Sequence, residues 1–384
     1  MKMLNAWTLE PDDPKIALEE ILEQLDLENN LQTHAAGFIT CSYDYIESGI
    51  VKALCDALPF DVVGETTLGN AINDESRPML LCLSVLTADD CRFSCALTPP
   101  LGKDLSITID REYTRAASEL DSPPNLILAF LPMLSNIGGE LMLSALDKAT
   151  GGVPVFGSVA CDFDTAGYTN TFLIHNGECF RDRMPLMLIS GNIQPRFVVM
   201  ATSEQNQFKQ QAIITSSEGT VLKSVNGMSA SDYFTSIGLV QGRGIEGISS
   251  LPFIVDYNDG SQAVALAVLS MNKDDGSALC GGIMPEGGTI SLGRMDVEDI
   301  LRTAEQTLRT LLAEKANGVI IFPCLGRNMV LGADPLAEIK VVQQMIGDSV
   351  PWHLAYSGGE ACPVYAKNGT VNRFHNFTFI ACAF

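Results

Sequence analysis

A strand–helix–strand pattern that occurs three times constrains this chain more than any other feature. One copy runs from Gly37-Phe38-Ile39-Thr40-Cys41 to Asp61-Val62-Val63-Gly64-Glu65-Thr66-Thr67. A second runs from Leu126-Ile127-Leu128-Ala129-Phe130 to Val153-Pro154-Val155-Phe156-Gly157-Ser158. The third runs from Val319-Ile320-Ile321-Phe322 to Val350-Pro351-Trp352-His353-Leu354. Each sets a short apolar run before a loop and a helix, then a second apolar run that leads into small residues. That order and length describe a β-α-β unit. With the two strands of each unit parallel, Cys41, Pro132 and Cys324 follow the ends of the first strands. Gly64, Gly157 and the 357–360 loop follow the ends of the second strands, on the same edge. Ligands of open α/β sheets bind at that edge. The competing reading is the ordinary alternation of any α/β chain, with no true repeat.

Helix signals are clear around these units. Asp13-Pro14 supplies a cap and a proline at the first helical position, and Ala17, Ile21, Leu22 and Leu25 follow at helical spacing. Asp296 opens a second helix, with Ile300, Leu301, Ala304, Leu308, Leu311 and Leu312 on one face and Asn317-Gly318 as its end. Asp334-Pro335 opens a third that Gly347 stops. Strands are expected over 79–86, 125–131, 171–175, 185–190 and 197–200, which are short, apolar and turn-bounded. The fold class is therefore α/β: two mixed α/β domains built from strand–helix–strand units on mixed sheets. A polar stretch at 203–210 marks the boundary, giving domains 1–208 and 209–384.

Charge excludes several functions. The 384 residues hold 24 basic and 46 acidic side chains, for a formal charge of −22. Nucleic-acid binders need clustered Lys and Arg, and anionic lipid attracts the same groups. Neither nucleic acid nor membrane is an expected partner. The start, Met1-Lys2-Met3-Leu4-Asn5-Ala6-Trp7, lacks the apolar core of a secretory signal. The apolar run Ala263-Val264-Ala265-Leu266-Ala267-Val268-Leu269 is far shorter than the ~20 residues that cross a bilayer. A cytoplasmic location is expected. Eleven cysteines are scattered through apolar runs without a C-x-x-C pair. Cys91 and Cys95 have no histidine nearby to complete a zinc set, so no metal and no cofactor is expected.

Four motifs bear on chemistry. Gly242-Arg243-Gly244-Ile245-Glu246-Gly247 matches G-x-G-x-x-G. A nucleotide fingerprint needs a strand before it and a helix after it. Here a helix-like stretch precedes it and Ser249-Ser250-Leu251-Pro252 follows, so a loop is expected. In Cys324-Leu325-Gly326-Arg327 the guanidinium would favour a thiolate. A nucleophilic Cys324 also needs a base, and His353 and His375 are the candidates. The structural alternative is a half-buried Cys324 beside an Arg327 that pairs with Glu338 or Glu360. Gly358-Gly359-Glu360 gives a close backbone approach followed by a carboxylate. Arg327 and Glu360 together would hold both ends of a small zwitterion. Asn376, in Asn376-Phe377-Thr378, would satisfy loop backbone groups or line the pocket.

The order of these motifs resembles the FIST family, a two-part sensory module. The likeness lies in Val63-Gly64-Glu65-Thr66-Thr67-Leu68-Gly69 and Val153-Pro154-Val155-Phe156-Gly157-Ser158. It continues in Val221-Leu222-Lys223-Ser224-Val225-Asn226-Gly227-Met228-Ser229-Ala230 and Met284-Pro285-Glu286-Gly287, then in Cys324–Arg327, Glu338, Tyr356–Glu360 and His375-Asn376-Phe377-Thr378. The resemblance implies a FIST N-like half, a FIST C-like half, and small-ligand sensing in intracellular signalling, with amino acids or their derivatives as ligands. Ahead of His34 there is room for one helix, so a stand-alone form is expected, without F-box or output domain and with a separate signalling protein as partner. On this reading Cys324, Arg327, Gly358, Gly359, Glu360 and Asn376 form the binding site. Two other classes stay open: a thiol-dependent enzyme using Cys324, and an interaction scaffold with no ligand.

Overall fold

The computed structural model describes residues 1–73, 75–77, 79–162, 170–239, 251–367 and 369–384. The Gly242–Gly247 motif lies outside the described residues.

All three expected units form, and in each the two strands are parallel. His34–Cys41 pairs with Val62–Thr66, Leu126–Leu131 with Val155–Val159, and Val319–Pro323 with Trp352–Tyr356. Each first strand also takes an antiparallel neighbour: Leu81–Ala88, Pro185–Gly191 and Phe379–Ala383 respectively. Beyond these lie Lys2–Thr8, Cys91–Leu97 and Arg196–Met200. The result is three sheets with the same core order.

Each sheet is completed by a strand pair from another unit. Leu68–Ile72 and Glu75–Arg77, which follow the first unit, extend the third sheet. Leu173–His175 and Glu178–Phe180, which follow the second, extend the first sheet. Glu360–Ala366 and Gly369–His375, which follow the third, extend the second sheet. The exchange is cyclic and closes on itself. Two of these sheets therefore take strands from both sides of position 208.

Packing repeats the same order. Phe38, Phe130 and Phe322, one from each first strand, meet in a shared interior core. The rings of Phe38 and Phe130 lie 6.2 Å apart, and those of Phe130 and Phe322 6.4 Å apart. Offset and edge-on contacts at such separations suit the ring quadrupoles. On the outside, each sheet buries helices in its own satellite core. Pro14–Leu25 and Ile50–Ala57 cover the first sheet, Leu105–Ala117 and Gly139–Thr150 the second, Val297–Leu311 and Ala337–Ile346 the third.

A fourth, antiparallel sheet lies between Arg196–Met200 and Val319–Pro323 in the chain. Its strands run from Ala212–Glu218 to Thr289–Leu292, and it has its own core. Among the described residues no helix is long and apolar enough to cross a membrane.

Several boundaries differ from expectation. Asp13 caps its helix as predicted, accepting from the Lys15 and Ile16 amides. Asp296 does the same for Asp299. That helix stops at Leu311 with Leu312 at its C-cap, short of the expected Asn317-Gly318. Gly64 and Gly157 sit inside the second strands, not past them. A Cβ at Gly64 would lie 2.0 Å from the Ile39 carbonyl oxygen, and one at Gly157 2.0 Å from that of Ala129. Both glycines are there so that the parallel strands can close.

Candidate functional site

The carboxyl ends of the three parallel pairs share one hydrogen-bond pattern. The Thr67 amide donates to the Cys41 carbonyl at 2.9 Å, the Ala160 amide to Leu131 at 3.0 Å, and the Ser357 amide to Pro323 at 2.9 Å. The ends are also stitched to one another. The Cys161 amide donates to the Thr66 carbonyl, and the Cys161 thiol to the Tyr356 carbonyl. The Gly358 amide donates to the Val159 carbonyl, and the Val159 amide to Gly359. Chemistry-bearing residues of all three units therefore converge on one edge, as parallel pairing requires.

Two buried carboxyl groups occupy this junction. Glu360 Oε1 accepts from Ser357 Oγ at 2.8 Å, and Oε2 from Thr378 Oγ1 at 2.8 Å. The Cys324 thiol lies near the same carboxyl. Glu65 Oε1 accepts from Ser158 Oγ, while Oε2 is buried without a partner. Glu360 and Ser158 face each other across adjacent strands. Burial pushes both Glu65 and Glu360 up to about 8, against the lowering effect of their hydroxyl donors. The Ser42 hydroxyl, one residue past the first strand, is likewise buried and unpartnered.

Of the residues singled out in the sequence, Cys324, Gly358, Gly359 and Glu360 lie together at this edge. Sequence reasoning missed Glu65 and Ser158 as participants. The available signal was a glutamate inside Val62-Val63-Gly64-Glu65-Thr66-Thr67, a run that otherwise reads as a buried strand.

Arg327 is placed differently. Its side chain is fully buried and paired with Glu338, whose Oε1 accepts from Nη2 at 2.6 Å and from Nε at 2.9 Å. Its other N–H groups reach the carbonyls of Ala201 and Ile300 at 3.1 and 2.9 Å, and Thr303 Oγ1 at 3.0 Å. Glu338 Oε2 accepts from the Tyr356 hydroxyl at 2.9 Å. The Arg327–Glu360 fork is thus not formed. The guanidinium instead ties the segment after Arg196–Met200, the helix Val297–Leu311 and the helix Ala337–Ile346 into one unit.

Cys324 is not set up as a nucleophile. Burial pushes its thiol well above the ordinary range, and nearby Glu360 adds to the rise. The hydrogen bonds of the two candidate bases go to groups other than the thiol. His353 bridges Thr40 Oγ1 at 2.7 Å and Ser84 Oγ at 2.8 Å in the interior core. His375 Nε2 faces the Cys362 carbonyl at 3.2 Å. Cys324 caps a short helix, Leu325–Leu331, where a loop was expected.

Asn376 joins the fourth sheet to this region. Its amide donates to the Ala265 carbonyl at 2.9 Å, and its Oδ1 accepts from the Ala267 amide at 3.0 Å. Next to it, Phe377 adopts φ of 60°, a left-handed conformation that is costly for a non-glycine residue. Gly326 accommodates the Phe377 ring, since a Cβ there would lie 2.7 Å from two ring atoms. Asn376-Phe377-Thr378 is therefore a strained turn whose ends touch the fourth sheet on one side and Glu360 on the other. Among the described residues no group of His, Cys, Asp or Glu could hold a metal ion.

Comparison with known proteins agrees with these motifs. Residues 35–228 match the model of the FIST N domain, and residues 228–363 that of the FIST C domain. No curated protein matches the chain. Among solved structures, a cyanuric acid hydrolase from A. caulinodans is 10% identical with a TM-score of 0.39, over 100% of this chain and 98% of that one. PurL of T. maritima complexed with AMPPCP is 10% identical with a TM-score of 0.20, over 99% of this chain and 72% of that one. At TM-scores this low neither likeness assigns a fold or a chemistry.

Proposed function

We propose, from the premise that this chain belongs to the FIST family, that it binds a small polar metabolite at the shared strand-end junction. The family is linked to signal transduction and small-ligand sensing. The observation that carries the reading is Glu65 Oε2, a carboxyl oxygen buried without a hydrogen-bond partner. Leaving such a group unpaired costs roughly 1–3 kcal/mol or more, so a native site has a reason for it. Glu360 lies at the same junction, and burial raises both carboxyls. A ligand amino group would donate to Glu65 and Glu360, which fits an amino acid or a derivative. Gly358 and Gly359 let the backbone pack tightly against Met133 and Phe374, where a Cβ at either would lie 2.6 Å from the neighbouring side chain, and Cys324 lines the edge as a neutral thiol. Arg327 and Asn376 act one layer behind, holding the edge in place. The signalling output passes to a separate partner protein.

A panel of small amines and amino acids in a thermal melt tests this reading. Wild type gains stability with at least one member; at ~100-fold excess over the dissociation constant the gain is ~2.7 kcal/mol. Glu65→Gln weakens or removes it. A panel that leaves wild type unmoved contradicts the proposal.

A further inference from the structure

A cleft of about 690 Å³ opens at the seam between the fourth sheet and the third unit. Its lining comes from the strand Val264–Leu266 on one side, and on the other from the helix Val297–Leu311 and the segment after Arg196–Met200. The volume is that of an ordinary small-molecule site, and seams between sheets are where such sites collect. Two groups in its lining are buried and have no hydrogen-bond partner: Thr202 Oγ1 and His375 Nδ1.

The state of His375 follows from its other nitrogen. A carbonyl can only accept, so Nε2 carries the proton that it donates to Cys362. Burial lowers His375 to about 4, so the ring is neutral near pH 7 and Nδ1 presents a bare lone pair. That atom needs a donor. Thr202 offers a hydroxyl, and Glu204 a second acceptor. Arg309 brings a guanidinium to the same cleft. Its bond is to Glu305, one helical turn away, and its side chain is 71% exposed. An exposed pair of that kind is worth little, so the guanidinium is free to turn to a ligand.

We propose that this cleft is a second ligand site, for a small carboxylate that also carries an N–H or O–H donor. Arg309 takes the carboxylate in a two-pronged contact. His375 Nδ1 and Glu204 accept from the donor end, and Thr202 closes the set. The site is separate from the strand-end junction and independent of its ligand. Thr378 touches both places: it lines the cleft while its hydroxyl donates to Glu360 Oε2.

The full chain melted with lactate, malate and N-acetylglycine at about 10 mM, ten-fold above a millimolar dissociation constant, tests the proposal. At least one raises the melting temperature of wild type. Arg309→Ala and Thr202→Val remove that rise, while Glu65→Gln keeps it. The first variant is at an exposed position and the second nearly preserves shape, so both fold. In ¹⁵N-labelled protein the same compound moves the His375 Nδ1 resonance upfield. A silent panel, a rise that survives Arg309→Ala, or an unmoved Nδ1 resonance overturns the site.

Discussion

Replacing Arg327 by Met separates a structural arginine from a ligand-binding one. The side chain is fully buried and satisfies a carboxylate, two backbone carbonyls and a hydroxyl at 2.6–3.1 Å. Met fills much of the volume but returns none of the donors. Removing one partner of a buried ion pair costs roughly 3–5 kcal/mol, because the other charge is left desolvated. The stranded carbonyls of Ala201 and Ile300 push the loss toward the upper end. Arg327→Met/Glu338→Leu removes the stranded carboxylate as well, so the double variant lies between wild type and the single variant. Its recovery is partial, since both carbonyls and the Tyr356 hydroxyl still lack partners. Urea unfolding followed by far-UV circular dichroism measures all three proteins. Stability within about 1 kcal/mol of wild type for Arg327→Met, joined with loss of ligand binding, would falsify the structural assignment.

Three further outcomes follow from the junction and the strands. Glu65 and Glu360 are raised to about 8, so the native state holds their protons more tightly than the unfolded chain does. Their contribution is complete below the unfolded carboxyl range and is lost as pH rises through about 8. His353 and His375 are lowered to about 3 and 4 and act with the opposite sign below about 6.5, so the carboxyl effect stands clear between pH 6.5 and 8. Stability should fall across that window, and Glu65→Gln should flatten the fall; a profile identical to wild type contradicts the assignment. Iodoacetamide at neutral pH should label the part-exposed Cys55 and Cys179 before the buried Cys324; preferential labelling of Cys324 would revive the thiol enzyme. Gly64→Ala and Gly157→Ala should each cost roughly 3 kcal/mol or more, read as a fall in melting temperature, because a strand backbone must move to admit the methyl. A loss under 1 kcal/mol at either position would show that the parallel pair is looser than drawn.

Much of the architecture was legible because it is periodic. Short apolar runs separated by a capped helix force a strand–helix–strand unit, and three of them appear where the periodicity puts them. The cyclic exchange was not legible. Which sheet receives Leu68–Ile72 or Glu360–Ala366 depends on contacts far apart in the chain, and the local pattern of a strand is the same in any sheet. The partner of Arg327 was open for a related reason. Glu338 and Glu360 are both downstream, and only the docking of the helix Ala337–Ile346 against the third sheet puts Glu338 within reach. The place of Glu65 was not legible either, because a glutamate in a strand becomes informative only when both of that strand's faces are known to be buried.

The central claim is that the strand-end junction receives a ligand amino group. Titration calorimetry of the best amine from the panel against wild type, Glu65→Gln and Glu360→Gln tests it most directly. The account predicts saturable one-to-one binding to wild type and at least ten-fold weaker binding to each variant, about 1.4 kcal/mol per lost acceptor. Equal affinity for all three proteins would contradict it.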